Sequence, residues 1–297
     1  MMKYTDDPLW SLFAPIWKAA LAVDGHILLA GGYAIFLKQR WLLEQAGNTA
    51  VRQTIPFIRW QDYAPRVTQD MDLLAPMEMI ASPMAQEQMD GVLKAQAWTP
   101  DLNHARWQFI REDTGSGRKW KLEFHAQHQE PMPDGLTHVP PRIKPKPSQG
   151  LGIHGHENQE AVACLVNPFR FQLDGLAIAI PNPVTMAIMK LAAMRDQREK
   201  SRDQAIAPGD RDFHERQARK HAQDVCRILA MTTREEADTI GSVLAAVRLT
   251  NAWRDASTVA QEYFISANGY GIAAVGTFWT PDDQATMSTS LQAWFNP

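Results

Sequence analysis

Hydrophobic and polar positions follow two different periods along the chain, and the change falls near residue 181. Upstream, short apolar runs and alternating stretches predict strands between amphipathic helices, whereas from 184 onward apolar residues recur mostly at helical spacing. The predicted strands are 26–30, 68–74, 106–111, 119–125, 161–166 and 175–180, and the predicted upstream helices are 8–22, 33–45 and 84–97. We therefore expect an α+β fold class, with a sheet-containing domain over 1–180 and a helical domain over 181–297.

Two segments, 198–210 and 127–159, show neither the helical nor the strand period clearly. In the second half, the first predicted helix begins near 184 and the others cover 212–230, 233–247, 253–266 and 281–294. The segment 198–210 is charged and is predicted to link the first two of these helices. Pro, His, Gly and Lys dominate 127–159, which predicts a long loop or flap. The histidines of His125-x-x-His128 and His154-x-His156 have no cysteine nearby and match no common structural zinc spacing, so we interpret them as solvent-facing loop histidines.

Composition places the chain among ordinary globular proteins. It has 297 residues, of which 45% are hydrophobic and 21% charged, and its net charge is −3. No apolar run approaches the roughly 20 residues that span a bilayer, and the acidic N-terminus lacks the layout of a secretory signal. Cys164 and Cys226 lie in apolar sequence, as reduced core thiols do. We expect a cytoplasmic protein with no membrane partner; the charge neither requires nor excludes a nucleic acid.

Asp70 and Asp72 stand two residues apart in the predicted strand 68–74. Side chains at i and i+2 share one face of a strand, so the two carboxylates are expected side by side. A divalent cation between them removes their repulsion, and oxygen ligands suit Mg²⁺ or Mn²⁺. Asp-x-Asp is also common at solvated strand ends, so the motif alone leaves both interpretations open. Glu123, on strand 119–125, is a candidate third ligand of a two-metal site or a surface partner of a lysine.

Gly31 and Gly32 separate the predicted strand 26–30 from a helix. This order lets backbone amides at a helix N-terminus face a phosphate group. A tight turn explains two successive glycines equally well.

Charged residues of the second half are further candidates for phosphate binding. Lys190 lies on an amphipathic helix, where a lysine is usually solvated, and Lys220 and Asp224 have the spacing of an i,i+4 ion pair worth about 0.3–0.5 kcal/mol. The basic residues around the charged link are Arg195, Arg198, Lys200, Arg202, Arg211, Arg216 and Arg219. Acidic residues are interspersed among them, so a solvated face is as plausible as a nucleic-acid contact.

The order of these motifs resembles the nucleotidyltransferase superfamily related to DNA polymerase β. Leu-Leu-Ala-Gly-Gly-Tyr-Ala at 28–34 is followed by Thr-x-Asp-x-Asp-Leu at 68–73 and by Glu123 on a later strand. Pro183-x6-Lys190-Leu-Ala-Ala-x-Arg195 and Lys220-x3-Asp224-Val-x2-Ile228-Leu229 resemble the abortive-infection branch, the AbiEii-type toxins of toxin–antitoxin pairs. The resemblance covers roughly 25–75 and 120–230. The segment from Gly32 to Asp70 is longer than is usual in the family, by an insertion within 46–66.

The resemblance implies a nucleotidyltransferase-type mixed sheet flanked by helices, followed by a helical domain, and an enzyme that uses an NTP with Mg²⁺ or Mn²⁺. It implies that Gly31 and Gly32 hold the nucleotide phosphates through backbone amides, and that Asp70 and Asp72 bind the metal ions. Glu123 would complete the metal site and help to activate the acceptor hydroxyl. Lys190 would contact the triphosphate, and Asp224 would orient that lysine or the acceptor.

The implied reaction transfers NMP from an NTP to an acceptor hydroxyl, and replacing Asp70 or Asp72 by alanine is expected to abolish it. In the toxin branch the acceptor is often the 3′ end of tRNA, and a cognate antitoxin is an implied partner. The alternatives are transfer to a small molecule or a protein side chain, or a non-catalytic protein that binds a nucleotide or a partner with this fold.

Overall fold

A computed structural model describes residues 7–45, 68–104, 106–113, 115, 117–127, 129, 131–147, 152–266, 269–276 and 279–296. The predicted insertion at 46–66 and His128 lie outside the described residues. Within them the chain forms two compact units. The first unit contains 7–37, 68–159 and 168–180, and the second contains 38–45, 160–167 and 181–296, counting only described residues in each range.

The helices and strands alternate in the first half, and helices predominate in the second. The strands are β1 (Leu28–Ala30), β2 (Asp70–Leu74), β3 (Thr99–Pro100), β4 (Gln108–Glu112), β5 (Lys119–Ala126), β6 (Leu136–Val139), β7 (Arg142–Pro145), β8 (Gly155–Glu157), β9 (Phe169–Leu173) and β10 (Leu176–Ile180). The helices are α1 (Trp10–Val23), α2 (Gly31–Glu44), α3 (Met77–Ala81), α4 (Pro83–Ala95), α5 (Pro183–Arg202), α6 (Pro208–Ala230), α7 (Arg234–Val247), α8 (Asn251–Ala260), α9 (Tyr270–Val275) and α10 (Pro281–Phe295). A π-helical turn, Gln261–Ile265, continues α8.

A mixed sheet forms the centre of the first unit. Among the described residues, β1, β2, β5, β8, β7 and β6 are neighbours in that order, and β4 pairs with β5 and β3. The pairs β2–β5 and β5–β8 are parallel, and the other pairs of this sheet are antiparallel. β9 and β10 form a separate antiparallel hairpin. A mixed α/β fold with a helical C-terminal part is therefore observed.

Strand β5 shows why the sheet has one buried and one accessible face. Trp120, Leu122, Phe124 and Ala126 are buried, and the residues between them are exposed or half-buried. Alternating side chains point to opposite faces of a strand, so the apolar set covers the core and the polar set faces outward. On the helical layer, the buried Trp17 of α1 donates a hydrogen bond from Nε1 to the carbonyl of Ala177, at 2.8 Å.

In the second unit, α5 packs along α6, and α8, α9 and α10 pack around this pair. Asn182 caps α5: its side chain accepts a hydrogen bond from the Thr185 amide at 2.8 Å. Lys38 of α2 forms a buried ion pair with Glu236 of α7, with Nζ 2.6 Å from Oε1. Glu236 also closes a capping box with Thr233 at the start of α7.

Three predicted elements are wrong. The predicted strand 161–166 consists of turns, because Asn182 and Thr185 bind its carbonyl groups at Val162, Ala163 and Val166 in place of a neighbouring strand. The predicted loop 127–159 contains β6, β7 and β8, which extend the sheet beyond β5. The charged link predicted at 198–210 is mostly helical, since α5 continues to Arg202 and α6 begins at Pro208.

Candidate metal centre

The register of the sheet brings acids from two strands together. β2 runs parallel to β5, with Asp72 opposite Glu123, Asp70 opposite Lys121 and Leu74 opposite His125. Partners in register project from the same face, so Asp72 and Glu123 meet on the accessible face of the sheet. The strand that carries Glu123 therefore lies beside the strand that carries the two aspartates.

Three side chains converge at this point: Asp72, Glu123 and His125. One potential ligand atom from each lies within 4.8 Å of the other two. His125 Nε2 is 3.6 Å from Asp72 Oδ1 and 3.5 Å from Glu123 Oε2. The side chains of Asp72, Glu123 and His125 are 23%, 21% and 15% exposed. An ion can therefore reach the site from solvent, and partial burial makes its attraction to the carboxylates stronger than it would be in bulk water. Two carboxylates and an imidazole are a donor set that fits a divalent cation.

The electrostatics of the cluster are dominated by its two carboxylates. Burial disfavours the imidazolium form of His125, but the attraction of Asp72 and Glu123 outweighs it and raises the pKa of His125 to about 9. His156 lies edge-to-face against His125, with ring centroids 5.5 Å apart. Burial, followed by repulsion from His125, lowers the pKa of His156. The cluster therefore attracts positive charge, whether as a proton or as a cation.

Asp70 is placed on the same face but outside the trio. It lies two residues before Asp72 on β2 and opposite Lys121, and its amide donates to Thr68 Oγ1 at 3.2 Å. Of the described residues, the three whose ligand atoms come together include His125 and not Asp70. The role that the resemblance gives to Asp70 stays a prediction.

The interpretation as solvent-facing loop residues is wrong for His125, His154 and His156, whereas His128 lies outside the described residues. His125 lies on β5 and faces two carboxylates, and His154 is only 4% exposed. His156 lies on β8, between the rings of His125 and Trp107. The signal for His125 was available in the sequence, because a residue two positions after Glu123 on a strand must share its face.

Gly31 lies against Asp72. It is the first residue of α2, its φ is +67°, and a Cβ atom placed on it would be 1.7 Å from Asp72 Oδ2. Only glycine adopts this backbone freely and leaves room for the carboxylate. The adjacent Gly32 is buried in the first turn of α2. The N-terminus of α2 therefore begins directly beside the trio.

Replacing Gly31 by alanine is expected to displace the Asp72 carboxylate. The positive φ alone should cost about 1–2 kcal/mol of unfolding free energy, and the new methyl group would occupy the position of Asp72 Oδ2. Urea unfolding and a divalent-cation titration measure the two effects. Gly25→Ala is the matched control, since a Cβ there meets nothing within 4 Å. Unchanged cation binding in Gly31→Ala would contradict this contact.

Lys190 and Asp224 lie in the second unit and bind each other. Lys190 Nζ is 3.0 Å from Asp224 Oδ2, and the two side chains are 10% and 0% exposed. Arg227 approaches the same carboxylate, at 3.6 Å from Oδ1. Lys220, which has the i,i+4 spacing to Asp224, donates a hydrogen bond from Nζ to Gln217 Oε1 at 3.0 Å, and the lysine that forms the buried ion pair with Asp224 is Lys190.

Six of the seven basic residues around the link divide into two groups, and the seventh, Arg211, donates a hydrogen bond from Nη1 to Gln204 Oε1 at 2.9 Å. Arg198 and Arg219 both pair with Glu215, and Arg195 lies within 4.0 Å of Asp196, Glu199 and Asp255. In the part of the chain that the structure describes, Lys200, Arg202 and Arg216 are exposed and take part in no ion pair. The first group forms a solvated network of opposite charges, and the second remains accessible to an anion.

Comparison of the chain with protein-family models, curated proteins and solved structures gives no significant match. Among the described residues, no helix combines the length and the apolar character needed to cross a membrane.

Proposed function

We propose that the protein is a metal-dependent nucleotidyltransferase that moves NMP from an NTP to an acceptor hydroxyl. The observation that carries the proposal is the position of Asp72, which lies against Gly31 at the start of α2 and faces Glu123 across the sheet. A cation site and a helix N-terminus therefore lie side by side. A bound cation would neutralise the negative charge of a triphosphate, and the backbone amides at the helix N-terminus would donate hydrogen bonds to its oxygens.

Each residue of the site has a defined task in this reaction. Asp72 and Glu123 hold the divalent cation, and the amides of Gly31 and Gly32 bind phosphate oxygens. A bound cation neutralises phosphate charge and lowers the pKa of the attacking hydroxyl. The acceptor oxygen forms a bond to the α-phosphorus while the bond to pyrophosphate breaks, and the hydroxyl proton passes to solvent. Positioning and charge neutralisation supply most of the catalysis in phosphoryl transfer.

The proposed acceptor is tRNA, as in the toxin branch that the sequence resembles, with a cognate antitoxin as partner. The exposed side chains of Lys200, Arg202 and Arg216 support a polyphosphate acceptor, since exposed cations with no ion pair among the described residues can bind a nucleic-acid backbone. The triphosphate contact of Lys190 stays a prediction. The resemblance also implies that Asp224 orients Lys190 or the acceptor, and the ion pair between Lys190 and Asp224 supports the first of these roles.

Incubation with each α-³²P-labelled NTP, total tRNA and Mg²⁺ or Mn²⁺ tests the proposal. We expect label to appear in tRNA, and chelation by EDTA to abolish the transfer. Label in a small molecule or in protein would support nucleotide transfer but show that the acceptor is not tRNA. Absence of turnover with every NTP, in the presence of cell extract as a source of acceptors, would overturn the enzymatic proposal and favour a nucleotide- or partner-binding protein.

A further inference from the structure

We infer that His125 is itself a ligand of the metal ion, and that the site prefers Mn²⁺ or a related transition-metal ion to Mg²⁺. The inference uses the metal centre of the proposed function, but it does not depend on nucleotide transfer. It assigns to the trio a nitrogen donor where the resemblance implies oxygen donors alone.

The two distances from His125 to the carboxylates are close to those between ligands of one ion. Donor atoms that lie about 2.1 Å from a common cation stand roughly 3.0–3.5 Å apart in octahedral or tetrahedral geometry. His125 Nε2 is 3.6 Å from Asp72 Oδ1 and 3.5 Å from Glu123 Oε2. These separations are longer than those of ordinary N–H···O hydrogen bonds, and a contraction of a few tenths of an ångström would bring the three groups to the spacing of ligands on one ion.

The position of the imidazole ring is defined by its surroundings. His125 lies on β5, between β2 and β8, and its ring packs edge-to-face against His156. Its Nδ1 atom is buried and has no hydrogen-bond partner among the residues that the structure describes. Nε2 is therefore the ring nitrogen that faces other polar groups, and those groups are the two carboxylates.

The donor set decides which cation is preferred. Mg²⁺ prefers oxygen ligands in octahedral geometry and retains most of its water. An imidazole nitrogen is a softer donor that suits transition ions, whose affinity rises from Mn²⁺ towards Cu²⁺. Mn²⁺ also accepts carboxylate and phosphate oxygens, so it can occupy the trio together with a nucleotide. A site formed by Asp72, Glu123 and His125 should therefore bind Mn²⁺ more tightly than Mg²⁺.

Electron paramagnetic resonance of the full chain, without any nucleotide, tests the inference. The signal of free Mn²⁺ decreases as the ion binds, and added Mg²⁺ measures the preference. We expect wild type to prefer Mn²⁺ by at least about tenfold, and His125→Ala to lose at least about tenfold in Mn²⁺ affinity. His138→Ala should leave the affinity unchanged, since that histidine faces Glu157, 2.9 Å away in the same sheet.

A second measurement uses wild-type protein, so its result does not depend on whether the His125→Ala variant folds. Pulsed resonance on Mn²⁺-loaded wild type should detect the nitrogen of a coordinated imidazole. Absence of that coupling, equal affinity for the two ions, or no Mn²⁺ binding at all would overturn the role of His125. Because neither experiment contains a nucleotide, intact Mn²⁺ binding without transfer would instead overturn the proposed function alone.

Discussion

Replacing Asp72 by alanine is expected to reduce nucleotide transfer by about 10²–10³-fold, the order of magnitude seen when one electrostatic group of an active site is removed. Asp72 is the residue shared by the glycine contact and the cation cluster. Its loss removes one carboxylate from the cation site and leaves Glu123 and His125 as the two remaining candidate ligands. The side chain is 23% exposed, so the fold should tolerate the change. The measurement is the initial rate of label transfer, with circular dichroism as a check on folding.

Glu157→Gln is the matched control for this variant. Glu157 lies on β8 in the same sheet and also faces a histidine, His138, but it does not belong to the trio. Its replacement should leave transfer within a few-fold of wild type. Transfer at the wild-type rate in Asp72→Ala, or an equal loss in both variants, would remove the support for a specific role of Asp72.

Replacing Lys38 by methionine is expected to lower the unfolding free energy by about 3–5 kcal/mol, the cost of removing one partner of a buried ion pair. Lys38 and Glu236 are 4% and 3% exposed, and both carboxylate oxygens lie within 2.7 Å of Nζ. Burial lowers the pKa of Lys38, although the Glu236 carboxylate opposes the shift. Without the lysine, Glu236 retains its bonds to Thr233 but buries an uncompensated charge. Urea unfolding measures the effect.

The surface pair of Lys94 and Asp90 provides the comparison. Lys94 is 67% exposed and lies one helical turn from its partner, so Lys94→Met should cost no more than about 1 kcal/mol. A similar small loss in Lys38→Met would show that water reaches the Lys38–Glu236 pair and that its burial is not maintained in solution.

The sequence predicts the sheet around the candidate site because its signals are local. The alternation of apolar and polar residues along β5 predicts that Glu123 projects from the outward face of that strand. The i, i+2 spacing of Asp70 and Asp72 predicts that these two side chains share one face of β2. Which of the two aspartates meets Glu123 depends on the register between β2 and β5. Register is set by packing between distant segments, so the pairing of Asp72 rather than Asp70 with Glu123 could not be predicted from the sequence.

The errors have the same physical origin. The apolar run 161–166 has the composition of a strand, but the caps of α5 bind its carbonyl groups. β6, β7 and β8 lie in a Pro- and His-rich segment with little strand character, and they form by pairing with one another and with the end of β5. Lys38 and Glu236 are separated by 198 residues, beyond any local pattern.

A crystal grown with Mn²⁺ and a non-hydrolysable NTP, measured at a wavelength where manganese scatters anomalously, would locate the cation and the triphosphate together. We expect an anomalous peak between Asp72, Glu123 and His125, with the triphosphate at the amides of Gly31 and Gly32. A triphosphate bound elsewhere in the first unit, or a manganese peak away from Asp72 and Glu123, would contradict the proposed nucleotidyltransferase site.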